Sequence, residues 1–111
     1  MQESLHVKNN EQIILSIKDL VQQVIPDAQV LLFGSRLINA ETEESDWDIL
    51  IVTKQYIVNK KLKNKVHEKI FPLSVEIGSF INFVLVHKTQ WLTDPSYYSL
   101  RKNLEEQNII A

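Results

Sequence analysis

A chain of 111 residues, 44% hydrophobic and 23% charged, is composed for one compact globular domain and is too short for two. Its net charge of −2 supplies no global field toward nucleic acid or an anionic membrane. Lack of cysteine excludes disulfides and thiolate chemistry. With no apolar core in MQESLHVKNN and no run long enough to span a bilayer, the expectation is a cytoplasmic protein with no membrane partner.

Residues 1–8 are polar and aperiodic and read as a flexible N-terminal tail, leaving 9–111 as the single domain. Asn9 or Asn10 suits a helix N-cap, because its side chain accepts from an orphan N–H of the first turn. Ile13, Ile14, Ile17, Leu20, Val21 and Val24 then recur at helical spacing as one buried stripe. Pro26-Asp27 ends that helix, since proline disfavours helical geometry in the residue before it. AQVLLF (28–33) and DWDILIV (46–52) read as buried strands, with a short helix and a polar loop between Leu37 and Glu44.

Lys60, Lys61, Lys63, Lys65 and Lys69 ride above Leu62, Val66 and Ile70, an amphipathic helix that Pro72 is expected to interrupt or bend. No aromatic residues interleave these lysines to stack on bases, so a solvated face is preferred over an RNA-binding one. Gly78 marks a turn, SFINFVLV (79–86) the last long strand, and Trp91 a packing residue in a short connection. Thr93-Asp94-Pro95 opens a terminal helix with proline in its first turn. Alternating helices and strands predict an α/β (α+β) domain, a small mixed sheet with helices packed on it. His6, His67 and His87 are scattered without the spacing of a zinc site.

The chemistry-bearing stretch is LFGSRLINAETEESDWDIL, residues 32–50. One of only two glycines, Gly34, follows the first strand. A strand that ends in Gly-Ser and turns into a helix offers free backbone N–H groups to an anion, with no Cβ to hinder a phosphate oxygen. Ser35 adds a hydroxyl and Arg36 a guanidinium fork suited to phosphate. Two residues apart on the next strand, Asp46 and Asp48 project to one face while Trp47, Ile49 and Ile51 project to the other. Paired carboxylates supply the oxygen ligands that Mg²⁺ uses where it also meets substrate phosphates. Taken singly, each motif has a plain alternative: an ordinary strand-to-helix turn, or a solvated strand start whose charge guards an edge.

Together, LLFGSR…SDWDILIV resembles the minimal (MNT) nucleotidyltransferases of the DNA polymerase beta superfamily. Their pattern is hydrophobic-Gly-Ser, then roughly a dozen residues, then Asp-x-Asp in an apolar strand. The resemblance runs from about Ile13 to Leu85 in order and element type. It implies that Gly34, Ser35 and Arg36 hold the phosphates of a nucleoside triphosphate, ATP for choice. Asp46 and Asp48 are then the catalytic metal ligands, for Mg²⁺ or Mn²⁺. It also implies transfer of a nucleoside monophosphate to a hydroxyl on a protein or nucleic acid, with loss of pyrophosphate. Minimal members are often paired with HEPN-domain proteins as toxin–antitoxin modules, so a HEPN-type partner chain, a second copy or the acceptor itself is expected to complete the open face.

The sequence departs from that pattern at two places. The family's third acid, on a later strand, is matched by Asn82, an amide that offers an oxygen to a metal but carries no charge. The nearest acid is Glu76, at the end of the lysine-bearing helix or in a solvated turn. LINAET stands where the family is glycine-rich. These departures leave open a second reading, a catalytically degenerate module of the same fold that binds nucleotide or a partner.

Overall fold

The computed structural model describes residues 10–33, 46–54 and 57–107. The sequence-predicted tail, the Gly34-Ser35-Arg36 turn and the short helix from Leu37 lie outside the described residues.

Helix α1, Asn10–Val24, forms because Ile13, Ile17 and Val21 fall on one stripe and are buried there, with Ile14, Leu20 and Val24 packed at the margins. Its end is set by Pro26, which has no N–H to continue the ladder. The chain instead closes a turn through Ala28 N donating to the Ile25 carbonyl at 2.9 Å. Asp27 fastens that turn to the far end of the second strand, accepting from Lys54 N at 2.6 Å and from the Thr53 hydroxyl at 3.2 Å.

Strand β1, Gln29–Phe33, runs antiparallel to β2, Trp47–Thr53, with Leu31 opposite Leu50 and Phe33 opposite Asp48. Strand β3, Ile81–His87, lies parallel to β2 on its other side, so the sheet order is β1-β2-β3. A parallel pair needs a crossover. Here it is α2, Lys60–Ile77.

Asn59 caps the start of α2, its side chain accepting from Leu62 N at 3.0 Å. Gly78 ends it in the left-handed conformation, φ 72°, with its N–H shared between the carbonyls of Ser74 and Val75. Helix α2 runs through Pro72 as one element, so of the expected interruption or bend the interruption does not occur. Pro72 is exposed while Val66, Ile70 and Leu73 are buried. The missing donor therefore falls on the outer side, while the buried stripe holds both halves of the helix to the core.

Two apolar layers follow from strand alternation. On one face, Val30, Leu32, Trp47, Ile49, Ile51 and Leu85 pack against α1 and α2. On the other, Leu31, Leu50, Val52 and Val86 are covered by Trp91 of α3, Lys88–Thr93. The connection expected around Trp91 is thus itself a helix. His87 caps it, Nδ1 accepting from Thr89 N at 3.1 Å. Asp94 then caps a 3-10 turn, Pro95–Tyr97, which leads into α4, Tyr98–Gln107. Tyr97 and Leu100 pack onto Trp91. Arg101 donates to the Trp91 carbonyl, with its guanidinium 6.0 Å from the indole and 5.7 Å from the Tyr98 ring. The observed architecture is the mixed α/β fold expected from the sequence.

Candidate active site

Strand β2 is buried along its whole length except at Asp48, which is half-buried. Asp46 precedes the strand and is exposed. Between them Trp47 is buried in the α1–α2 layer. Because side chains alternate, anchoring Trp47 inward turns both carboxylates to the opposite face. Trp47 N also donates to the Phe80 carbonyl at 2.8 Å, holding this segment against the approach to β3.

The parallel register sets Asn82 beside Asp48. The Asn82 amide nitrogen donates to Asp46 Oδ2 at 3.2 Å and lies 3.5 Å from Asp48 Oδ1. One NH₂ group therefore bridges two acids that would otherwise only repel one another. This bridge is invisible in the sequence, which places Asn82 on the right strand but cannot show the register. The last residue of β1, Phe33, pairs with Asp48, so the first strand delivers the chain to the same end of the sheet. Gly34, Ser35 and Arg36 are the next residues in sequence and lie outside the described residues.

The two candidates for the third position separate cleanly. Asn82 stands with the acids; Glu76 does not. Glu76 is exposed in the last turn of α2 and lines a cleft with Ser16, Asp19 and Leu20 of α1. Helices α1 and α2 cover the sheet face opposite the one bearing Asp46 and Asp48. Among the described residues, no three His, Cys, Asp or Glu side chains come together as a metal cluster. The five lysines of α2 are all exposed, and no described helix is long and apolar enough to cross a membrane.

Comparison with known proteins gives the class of the chain. Residues 11–98 match the family model of the nucleotidyltransferase domain, and the chain belongs to that family. It is also similar to a protein of Haemophilus influenzae described as the probable protein adenylyltransferase MntA, at 30% identity over 76 residues. The match takes in 66% of this chain and 65% of that relative's length.

Proposed function

We propose that Asp46 and Asp48 are the metal-binding acids of a nucleotidyltransferase site that moves a nucleoside monophosphate from an NTP to a hydroxyl group. The observation that carries this reading is the convergence of Asp46, Asp48 and Asn82 at one end of the sheet, joined by a single amide. Their donor set fits a divalent cation: the two carboxylates offer oxygens, and a half-turn of the Asn82 amide offers a third, neutral one. Mg²⁺ or Mn²⁺ held by these groups would supply neutralisation of phosphate charge and of the entering and leaving oxygens.

The remaining work falls to the chain itself. Asn82 keeps the two carboxylates oriented together, and Trp47 fixes the strand that carries them. Gly34, Ser35 and Arg36, the three residues that follow β1 in sequence, are assigned to the β- and γ-phosphates. The acceptor oxygen forms a bond to the α-phosphorus while the bond to the bridging oxygen breaks, releasing pyrophosphate. Asn82 cannot take the acceptor's proton, so the proton passes to a carboxylate or to water.

ATP as donor and a protein as acceptor are supported by the description of the Haemophilus relative. A HEPN-type partner in a toxin–antitoxin pair, acting in the cytoplasm, is the biological setting that the minimal-domain resemblance implies. The test is transfer of label from α-labelled ATP. Asp46→Asn and Asp48→Asn variants are each expected to lose it, and undiminished transfer would refute the roles assigned.

The neutral Asn82 favours one second reading, a module that binds nucleotide without chemistry. On that reading ATP with Mg²⁺ raises the melting temperature and pyrophosphate never appears. Metal-dependent pyrophosphate release eliminates it.

A further inference from the structure

We propose that the outer edge of β3, with the apolar groove beside it, seats an extended segment of the acceptor protein and leads its hydroxyl to Asp46 and Asp48. This rests on the transfer reading above and adds to it the place and mode of acceptor binding. Four observations lead to it.

The sheet order leaves β3 at an edge among the described residues, so alternate residues direct backbone N–H and C=O groups outward. Edges of this kind are ordinarily guarded by lysine, proline or a bulge. INFVLVH has neither lysine nor proline and no carboxylate, and its partner register with β2 is unbroken.

Beside that edge lies a groove of about 320 Å³ between α2 and β3, lined by Phe71, Phe80, Ile81, Asn82 and Phe83. A smaller one of about 190 Å³ adjoins it through Phe71 and Phe80 and reaches Val75. Phe80 is 73% exposed, Val75 64% and Phe71 54%. Large apolar side chains gathered this way mark a contact surface.

The groove and the site share one residue. Asn82 lines the groove and also bonds Asp46 and approaches Asp48. A strand added along β3 would lie two strand spacings, about 10 Å, from β2 and its acids, so a long hydroxyl-bearing side chain such as tyrosine is what would approach them past Asn82.

The lining also chooses the class of macromolecule. Neither lysine nor arginine lines either groove, and His67 is the one basic side chain in the lining, so a nucleic acid backbone finds little there to neutralise its phosphates. An extended peptide instead gains main-chain hydrogen bonds from the edge and pockets for alternate apolar side chains.

The experiment uses the full chain, isotope-labelled for amide NMR, and a short peptide alternating valine and threonine. Shifts are expected at Ile81 to His87, and they persist when Asp46 and Asp48 are both replaced by Asn. Phe80→Asp is expected to weaken binding about tenfold or more, from the lost apolar contact. With Phe80 so exposed, its melting temperature should match the parent's. The same peptide with N-methylated alternate amides is expected not to bind.

No shift at β3, equal binding by Phe80→Asp, or equal shifts with a short oligouridylate would overturn the proposal. Concentration-dependent self-association of the protein alone with the same shifts would assign the edge to a second copy and overturn it too. Failure of the transfer reading looks different: the peptide binds at β3, but label from α-labelled ATP reaches no acceptor.

Discussion

Replacing Asn82 by Asp tests how the site manages its charge. An oxygen placed where the amide nitrogen stands would lie 3.2 Å from Asp46 Oδ2 and 3.5 Å from Asp48 Oδ1. Two like charges at such distances cost about 1 kcal/mol per pair in a water-like dielectric. The water-like value applies because Asp46 and Asn82 are exposed. Losing the amide's contacts to charged groups adds about another 1 kcal/mol at such an exposed position. Asn82→Asp should therefore destabilise the metal-free protein by roughly 2–3 kcal/mol at low salt, a fall of about 10 °C in melting temperature. Millimolar Mg²⁺ should recover most of that loss and should stabilise Asn82→Asp more than the parent, since three carboxylates bind a divalent cation better than two. Asn82→Leu separates the effects: it loses the bridge but adds no charge, and responds little to Mg²⁺. Urea denaturation in EDTA, in Mg²⁺ and in molar NaCl measures all three terms, because salt screens exposed charges. Equal midpoints for Asn82→Asp and the parent in EDTA, or a deficit that Mg²⁺ leaves untouched, would refute the proposed geometry of charge.

Two further predictions concern the scaffold. Gly78→Ala should cost about 1 kcal/mol in urea denaturation, because φ is 72° while an added Cβ meets nothing within 4 Å; the loss is conformational alone. A loss of several kcal/mol would mean the space is not open. The Asp94 carboxyl is held below its ordinary 3.8 by the Ser96 hydroxyl and then the Ser96 N–H, so the folded state favours the charged form. Its contribution is present above the unfolded value and fades as pH falls through the lower folded one. Ser96→Ala should raise the Asp94 midpoint in an NMR titration and flatten the acid limb of stability, and an unmoved midpoint would reject the cause given.

Much of the fold was legible because its signals are local. The stripe of Ile13, Ile17 and Val21 announces α1, and the alternation through Trp47, Ile49 and Ile51 announces which way β2 faces. Asp46 and Asp48 share a face in the structure as that alternation requires. The helix carrying Trp91 was missed because KTQWLT is only 6 residues long, too short to show periodicity. Its stability comes from burying one indole against Leu50 and Val86, a contact between distant segments. The helix is not interrupted at Pro72 for a related reason: a local rule for helix breaking yields to tertiary burial at Val66, Ile70 and Leu73. The bridge made by Asn82 depends on the register of a parallel pair separated by 34 residues, which no motif spacing encodes.

That register is where fold and site meet. Strand β2 has Trp47, Ile49 and Ile51 on the α1–α2 face, and Leu50 and Val52 on the face capped by Trp91. A slip of one residue would drive Asp48 into the α1–α2 layer and turn Trp47 outward. Burying an unpaired carboxylate is far too costly for the strand to tolerate, so the packing that stabilises the sheet also forbids every neighbouring register. The chain reverses between β1 and β2 but not between β2 and β3. The exit of β1 and the entries of β2 and β3 consequently share one end, and Trp91 covers the face only toward the other. Among the described residues, the polar end is thus left uncovered by the same topology that builds the core. Substitutions that loosen Trp47 should therefore disorder the carboxylate pair before they unfold the sheet.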